Sequence, residues 1–460
     1  MLSAVDLAII GVFFAVLFGW SLWERKDITL EDYWVNSRDT NKYIVVATIL
    51  STYVGVGSIF SNASFAYSGA GFATAAILLS FFLYFYLFGK FFAPKIKEFG
   101  DKHNAYTLPD FLEERFSSRV RIAGALVNFI MYGLLLALQI LGMATLLSAF
   151  SSVSPTIATL IGGAIIVLYT TIGGLRADIR TDIFQFVVMV FLLVVFLPLV
   201  ISNAGGFSTI TSLPTTFLTG GEYMPFYLYI LMAIFLGASV LTASDLWQRV
   251  YAGDTKQNVE WAMKTGGIAI AAFFFMAMLF GIFTKVMLPG VDPNFIIPEL
   301  IQSVLPAGVV GVVLAGLFAA VMSSADTMLL IASMTLVHDV YEEILGNELD
   351  SKSVLKISRW TTFVLGVLAV GVTLLLFNFV DLAINSLSFA VVLIPPIVFG
   401  FYWEEANEAA AFWSIVTGTV TLIGFSFVDP KQAFVPAIIA SFGTFWLVQK
   451  APEYKRRYLQ

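Results

Sequence analysis

Residues 51–58 read Ser51-Thr-Tyr-Val-Gly-Val-Gly-Ser58 and lie in the middle of a long apolar segment, residues 43–68. A segment of that length is typical of a helix that crosses a bilayer. Two glycines beside small hydroxyl residues weaken such a helix, and an interrupted backbone is tolerated in a membrane only where it is buried in protein or lines a cavity. The stretch therefore predicts a broken helix whose freed carbonyl oxygens bind a cation. Close helix packing is the alternative explanation for the glycines.

A second break is predicted five spans later. Residues 237–247 read Gly237-Ala-Ser-Val-Leu-Thr-Ala-Ser-Asp-Leu-Trp247 and again place glycine and small hydroxyl residues inside an apolar segment. Two halves of five helices, inverted relative to each other, would bring the two breaks face to face, as in many secondary transporters. We therefore predict a five-plus-five inverted repeat, with the first repeat at 43–202 and the second at 226–402.

The composition of the 460-residue chain is that of a membrane protein. Hydrophobic residues make up 59% and charged residues 12%, whereas a soluble domain carries about 25% charged residues. This argues against soluble enzymes, nucleic-acid-binding proteins and disordered chains. Cysteine is absent, and the two histidines, His103 and His338, are too few for a multi-histidine metal centre.

Thirteen apolar segments are long enough to cross a bilayer. One precedes the two repeats, and two follow them within residues 407–449. We therefore predict a single all-α integral membrane domain over residues 1–460, with one extra N-terminal helix and two extra C-terminal helices. The predicted spans are 3–23, 43–68, 71–93, 119–150, 155–173, 178–202, 226–250, 260–288, 307–341, 355–377, 380–402, 407–427 and 432–449.

Basic residues predict the orientation. If the N terminus lies outside, 23 of the 25 lysines and arginines fall on the inner side, and only Lys285 and Lys431 fall outside. Cytoplasmic loops carry an excess of basic residues. The pattern therefore predicts an outer N terminus, a cytoplasmic C terminus and a place in the plasma or inner membrane.

The eighth core span carries a stripe of small polar residues. Ala320, Ser323, Ser324 and Thr327 are spaced i, i+3, i+4 and i+7, so they project from one face of a helix. Three hydroxyls opposite exposed carbonyl oxygens suit a hard monovalent cation. In the alternative explanation, each hydroxyl bonds to a carbonyl one turn earlier or bridges two helices.

Acidic residues inside spans are further candidates, because a charge in the bilayer is costly. Asp182 is a cation ligand, a proton carrier or a carboxylate paired with Arg176 or Arg180. Asp326 lies near the edge of the hydroxyl stripe.

Other polar residues are weaker candidates. Asp245 precedes Arg249 by four residues, the spacing of an ion pair on a helix. Four more side chains are candidates for the wall of a polar cavity: Gln139, Asn385, Ser386 and Ser388.

Five stretches, in this order, resemble the sodium/solute symporter family over nearly the whole chain. They are Ser51–Ser68, Thr107–Phe116, Thr170–Gln185, Asp245–Val250 and Leu314–Leu329. Parts of the first and last stretches, Tyr53-Val-Gly-Val-Gly57 and Ser323-Ser-Ala-Asp-Thr327, resemble the choline-transporter-like branch. The resemblance implies a LeuT-type fold with an added N-terminal helix and a transporter rather than an enzyme.

The resemblance also implies where sodium binds. Its main site would comprise oxygen atoms of the first and eighth core helices, at Ser51, Val54, Ala320, Ser323 and Ser324. Some members bind a second sodium ion with a carboxylate at the Asp182 position and hydroxyls farther along the eighth helix. Here Thr327 keeps a hydroxyl, and Asp326 stands where those members have serine.

The solute is predicted to bind between spans one, three, six, eight and ten, counted from the first core span. The residues predicted to face it are Tyr53, Gly55, Gly57, Gln139, Thr242, Ser244 and Ser388. Tyr53 supplies one aromatic wall, but a full cage for a quaternary ammonium group is not evident in the sequence. The family resemblance implies an amino acid, sugar, carboxylate, vitamin or osmolyte as the solute.

The predicted function is sodium-coupled import of a small polar organic solute by alternating access. Proton coupling through Asp182 or Asp326 is the nearest alternative. A sensor is less favoured, because about ten residues follow the last predicted span and leave no room for a signalling module. Saturable counterflow would separate a carrier from a channel. A membrane-embedded enzyme would need acid, base or metal ligands that two histidines do not provide.

Overall fold

A computed structural model describes residues 2–23, 38–221, 223–306, 308–342, 351–376 and 378–451. The side chains at 18, 20–23, 172–189, 191–193, 342, 351–352 and 354–355 lie outside this description. Within the described ranges every regular element is a helix, and the β-type contact is an isolated bridge between Thr40 and Gly253. The all-α prediction is therefore confirmed.

The helices follow the predicted spans, with short 3₁₀ and π turns between some of them. In chain order they are α1 (Ala4–Trp23), α2 (Lys42–Tyr53), α3 (Val56–Phe65), α4 (Ala75–Leu87), α5 (Ala93–His103), α6 (Leu108–Arg115), α7 (Ser118–Phe150), α8 (Pro155–Asn203), α9 (Thr215–Thr219), α10 (Phe226–Phe235), α11 (Ser244–Ala252), α12 (Lys256–Met287), α13 (Ile296–Val304), α14 (Val309–Met334), α15 (Ser351–Leu375), α16 (Phe379–Val392), α17 (Ile394–Tyr402), α18 (Glu408–Ser426) and α19 (Phe434–Lys450).

Several of these segments can cross a membrane. In the described part of the chain, seven helical segments are long and apolar enough, and counting the bent segment of α10 and α11 as one span gives up to eight. Shorter apolar helices cover Ala4–Leu17, Pro155–Thr171, Val194–Asn203 and Phe434–Lys450. The chain is therefore a multi-pass membrane protein, although these segments do not establish the predicted number of thirteen.

Helix α8 differs from the prediction. It runs uninterrupted over 49 residues, where the sequence predicts two spans, 155–173 and 178–202. The predicted boundary at 174–177 lies among residues whose side chains are not described. The two spans are predicted as separate apolar segments, with the basic residues Arg176 and Arg180 counted as cytoplasmic between them. The separation into two spans here stays a prediction.

The first predicted break is confirmed. Helix α2 ends at Tyr53 and α3 begins at Val56. Between them, Val54 has φ −93° and ψ 30°, and Gly55 is extended with φ −64° and ψ 162°. These angles depart from those of an α-helix, so the ladder of backbone hydrogen bonds stops in the middle of the span. The chain then turns towards α4 at Gly69, whose φ of 126° suits glycine.

The second predicted break is also confirmed. A 3₁₀ turn, Leu236–Thr242, follows α10, and α11 then leaves at an angle of 49°. The backbone N–H of Gly237 donates to the Ser80 hydroxyl of α4 over 2.8 Å. This contact gives a partner to a backbone donor inside the interrupted span.

The extra N-terminal helix packs against α14. Asp6 of α1 is 1% exposed, and its Oδ1 accepts hydrogen bonds from the N–H groups of Gly308 (2.9 Å) and Gly311 (2.6 Å). The first amides of a helix lack partners within it and favour a negative charge. Helix α1 therefore fixes the N-terminal end of the helix that carries Ser323 and Ser324.

Candidate functional site

Three backbone carbonyl oxygens converge on one hydroxyl where the broken first core span meets α14. The Oγ of Ser324 lies 2.9 Å from the carbonyl oxygen of Thr52, 3.1 Å from that of Ala320 and 3.4 Å from that of Ser51. A serine hydroxyl has one proton, so it can donate to only one of the three at a time. The surplus of oxygen lone pairs makes this buried point suitable for a hard cation.

Gly55 permits this close approach. A Cβ at position 55 would lie 2.1 Å from the Oγ of Ser324 and 3.2 Å from the Nε2 of Gln139. The first distance is a severe overlap, since packed side chains touch at about 3.5–4.0 Å. The backbone angles of Gly55 suit any residue, so the glycine is needed for space rather than for conformation.

The structure brings together three of the five residues predicted for the main sodium site. Ser51, Ala320 and Ser324 meet through the contacts above. Val54 lies at the break itself and is fully buried, as is Ser323 beside Ser324 on α14.

The residues predicted for a second sodium ion are less well grouped. The side chain of Asp182 lies outside the described residues. Asp326 accepts a hydrogen bond from the Thr170 hydroxyl of α8, whereas the Oγ1 of Thr327 lies 3.4 Å from that of Thr52 on α2. In these contacts Asp326 and Thr327 face different helices, so the second site stays a prediction.

Arg249 is a neighbour of this region that the sequence placed only beside Asp245. Its Nη2 lies 2.5 Å from the Oγ1 of Thr52 and 3.5 Å from that of Thr327. Its Nη1 lies 3.7 Å from the Oδ2 of Asp245. The expected ion pair is present, and its positive charge also lies beside the hydroxyls of α2 and α14.

A cavity of about 130 Å³ adjoins the carbonyl cluster. Residues of all five spans predicted to line it do so, together with residues of α4 and α12. Thr52 belongs to both places, because its carbonyl contacts Ser324 and the residue also lines the cavity. The cavity and the candidate ion site are therefore direct neighbours.

Two of the seven predicted solute-binding residues, Tyr53 and Gln139, line the cavity. Gln139 also accepts a hydrogen bond from the Gly57 N–H over 3.2 Å, so it connects the wall to the broken helix. Neither Gly57 nor Gly55 is part of the wall. Both pack against α7 or α14 instead.

Three other predicted residues, Thr242, Ser244 and Ser388, do not line the cavity. The Thr242 hydroxyl donates to the carbonyl of Ala390 (2.9 Å), and the Ser244 hydroxyl accepts from the Asn128 amide (2.8 Å).

The polar residues of α16 bond within their own helix. The hydroxyls of Ser388 and Ser386 donate to the carbonyls one turn earlier, over 2.6 Å each, and the Asn385 amide does the same over 2.7 Å. For these three residues the local bonding that the sequence left open is what the structure has.

Several polar cavity residues were not predicted from the sequence. They are Thr52, Ser58, Ser61, Asn62, Tyr132, Ser239 and Asp245. A signal existed for Asn62 and Asp245, since both are strongly polar residues inside apolar segments. The i+4 arginine gave Asp245 a sufficient structural explanation in the sequence.

A second polar cluster surrounds Arg121, in the region predicted to be cytoplasmic. Its guanidinium group contacts Glu113 and lies 3.2 Å from Asp110 and 3.1 Å from Asp339. His338 lies 3.3 Å from Asp110. The cluster ties α6 and α7 to the turn after α14. His338 and the two aspartates have the ligand types of a metal site, but Arg121 already supplies positive charge between the carboxylates.

This cluster predicts how stability depends on pH. Burial by itself raises the pKa of Asp110, but the hydrogen bond and charge of His338, followed by the charge of Arg121, lower it to about 2. The stabilisation is therefore present above the unfolded pKa of about 3.9 and lost as pH falls through the folded value. We expect Asp110→Asn to lower the melting temperature at pH 5, and the difference from wild type to shrink below about pH 4.

Thermal unfolding in detergent at pH 5 and pH 3 checks this expectation. Glu114→Gln, at an exposed position of the same helix, is the matched control. A difference between wild type and Asp110→Asn that is equally large at both pH values would contradict the assigned ionisation.

The sequence matches the model of the sodium:solute symporter family over residues 33–418. It is 29% identical to the sodium/pantothenate symporter of Escherichia coli (strain K12), covering 89% of this chain and 88% of that protein. It is 24% identical to the sodium/proline symporter of Salmonella typhimurium (strain LT2), covering 96% of this chain and 92% of that protein.

A solved structure shares the fold. The outward-open, substrate-bound structure of a Na⁺-coupled sialic acid symporter matches with a TM-score of 0.82 at 18% identity, covering 97% of both chains. MhsT in complex with L-phenylalanine matches with a TM-score of 0.54 at 14% identity, covering 89% of this chain and 98% of MhsT. The LeuT-type prediction is thereby confirmed, while the choline-transporter-like branch stays a prediction.

The all-helical membrane fold, the two broken spans and the family match lead to one assignment. The family is one of transporters that use sodium to move a small solute, and the oxygen-lined cluster beside the cavity is consistent with that activity. The chain belongs to the sodium:solute symporter family and is a sodium-coupled solute transporter, not an enzyme.

Proposed function

We propose that one sodium ion binds where the broken first core span meets α14, and that it drives import of a small polar organic solute held in the adjoining cavity. The proposed ligands are oxygen atoms of Ser51, Val54, Ala320, Ser323 and Ser324. The observation that supports this most strongly is the convergence of three carbonyl oxygens on the single hydroxyl of Ser324. A cation bound among them would use lone pairs that one proton cannot satisfy.

The proposed coupling runs through the broken helix. Sodium would tie α2 to α14, and Thr52 extends from that contact into the cavity wall. Since Asp6 anchors the start of α14, ion binding would act against a fixed element. Inward movement of one charge through 100 mV supplies about 2.3 kcal/mol, and the sodium gradient adds to it.

The orientation and the solute class belong to this proposal as well. We place the N terminus outside and the C terminus in the cytoplasm of a plasma or inner membrane, from the distribution of basic residues. The relatives are named for pantothenate and proline, which supports a small organic solute. A second sodium ion near Asp182, Asp326 and Thr327 would double the driving force.

Substitution of the two serines tests the site. We expect Ser323→Ala and Ser324→Ala each to raise the sodium concentration for half-maximal thermal stabilisation about tenfold, a loss of ~1.4 kcal/mol. The measurement is the melting temperature of the purified full chain as NaCl replaces KCl at fixed pH.

Ser303→Ala, at an exposed position on α13, is the control and should titrate as the wild type does. Unchanged sodium dependence in both Ser323→Ala and Ser324→Ala would refute the site. A melting temperature that follows pH and ignores sodium would instead favour proton coupling.

A further inference from the structure

We propose that the solute carries a protonated amine and that the carboxylate of Asp245 binds it. This inference rests on the proposed function, because it takes the cavity beside Thr52 as the solute site. It assigns to Asp245 a role in recognition as well as in the ion pair with Arg249.

Hydrogen bonds to Tyr132 hold Asp245 in place, and its second carboxylate oxygen has no hydrogen-bond partner among the described residues. Asp245 lies in the first turn of α11, is 3% exposed and lines the cavity. The hydroxyl of Tyr132 donates to its Oδ1 and accepts from its backbone N–H over 2.8 Å. Its Oδ2 is buried and has no hydrogen-bond partner among the described residues. A buried acceptor without a donor is destabilising, and a ligand N–H would supply the missing donor.

Arg249 forms an ion pair with that oxygen but no hydrogen bond to it. Its Nη1 donates to the backbone carbonyl of Asp245 over 3.0 Å and lies 3.7 Å from Oδ2. Its Nη2 donates to the hydroxyl of Thr52 over 2.5 Å. The guanidinium group therefore lies beside the carboxylate while leaving Oδ2 available for a hydrogen bond from a donor in the cavity.

A second residue of the cavity wall, Asn62, also has a buried acceptor without a hydrogen-bond donor among the described residues. Asn62 donates through Nδ2 to the carbonyl of Ser58 over 2.9 Å, and its Oδ1 is buried without a partner in the described structure. Both unpartnered atoms are thus acceptors. Of the described residues that line the cavity, Asp245 alone is charged, so a carboxylate of the solute meets no basic side chain there.

The remaining wall distinguishes an organic cation from a metal ion. Aromatic rings of Phe65, Phe81 and Phe274 line the cavity with aliphatic side chains. Rings attract organic cations through their faces and bury a hydrocarbon body. A sodium ion needs several oxygen ligands around it, whereas Asp245 and Asn62 each offer the wall one unpartnered oxygen among the described residues. The geometry therefore points to an ammonium group on an apolar skeleton.

Matched pairs of small molecules test this assignment. We would measure thermal stabilisation of the purified full chain in NaCl by L-proline and cyclopentanecarboxylate, L-phenylalanine and 3-phenylpropanoate, and isopentylamine and isopentanol. Each pair keeps nearly the same molecular shape and differs in whether an amine is present. The proteins are wild type, Asp245→Asn, Tyr132→Phe and the control Asp292→Asn, at an exposed position outside the cavity.

We expect at least one amine to stabilise the wild type and Asp292→Asn, while its partner without an amine does not. Asp245→Asn should need at least tenfold more of that amine, a loss of about 1.4 kcal/mol, and Tyr132→Phe should show a smaller loss. A cooperative melting transition in each variant shows that it is folded.

Three results would overturn the assignment: a partner that stabilises as well as its amine, an amine that stabilises Asp245→Asn as it does the wild type, or no stabilisation of the wild type by any amine. Loss of the sodium effect alone in Asp245→Asn would identify the carboxylate as an ion ligand and also overturn it. Failure of the proposed function looks different, because sodium would then not stabilise even the wild type.

Discussion

Alanine at position 55 is expected to raise the sodium concentration needed for half-maximal stabilisation by more than tenfold, above ~1.4 kcal/mol. The added Cβ would fall 2.1 Å from the Oγ of Ser324 and 3.2 Å from the Nε2 of Gln139. The serine side chain has one rotatable bond to its hydroxyl, so it must leave the three carbonyl oxygens or push α14 away. Either movement disperses the proposed ligands. Titration of the melting temperature with NaCl measures the effect.

Gly424→Ala is the matched control for this substitution. Gly424 lies on α18, and a Cβ there would have no neighbour within 4 Å. Alanine in an open helical position stabilises slightly, so this variant should bind sodium as the wild type does. If Gly55→Ala also titrates normally, the close contact between α2 and α14 is not part of the ion site.

The second large effect is expected at Arg121. Replacing it with glutamine removes the charge between Asp110, Glu113 and Asp339. Asp339 is fully buried, and removing one partner of a buried ion pair typically costs about 3–5 kcal/mol. We expect a melting temperature several degrees lower at pH 7, measured in detergent without sodium or solute.

Arg119→Gln provides the comparison, because Arg119 lies in the same first turn of α7 and is exposed. Loss of a solvent-exposed charge usually changes stability by less than about 0.5 kcal/mol. Equal melting temperatures for the two variants would mean that the network contributes little. A higher melting temperature for Arg121→Gln than for the wild type would show that the arginine destabilises the cluster of three carboxylates.

Much of the fold was predictable because the bilayer leaves few choices for a backbone. Glycines at 55 and 237 stood out since any break in an apolar span needs a protein environment. The stripe at Ser323 and Ser324 was visible because helical spacing alone puts those side chains on one face. The structure has both breaks and brings Ser324 to the first.

The cavity wall was less predictable. Whether a hydroxyl such as that of Ser388 turns to a cavity or to its own helix depends on a single rotamer, which spacing does not encode. Asp245 was discounted because Arg249 follows at i+4, yet the pair leaves one carboxylate oxygen unbonded. The two-span prediction at 155–202 relied on apolar segments flanking Arg176 and Arg180, and arginine is a good helix former that does not interrupt a helix.

Thr52 contributes both to the candidate ion site and to the cavity wall, and this has a thermodynamic consequence. Its carbonyl faces the place proposed for the ion, and the same residue forms part of the compartment proposed for the cargo. If binding of sodium or of the solute orders this peptide unit, the ligand that binds second meets a protein that is already ordered. Linkage then requires reciprocity: sodium must tighten cargo binding by the same factor by which cargo tightens sodium binding.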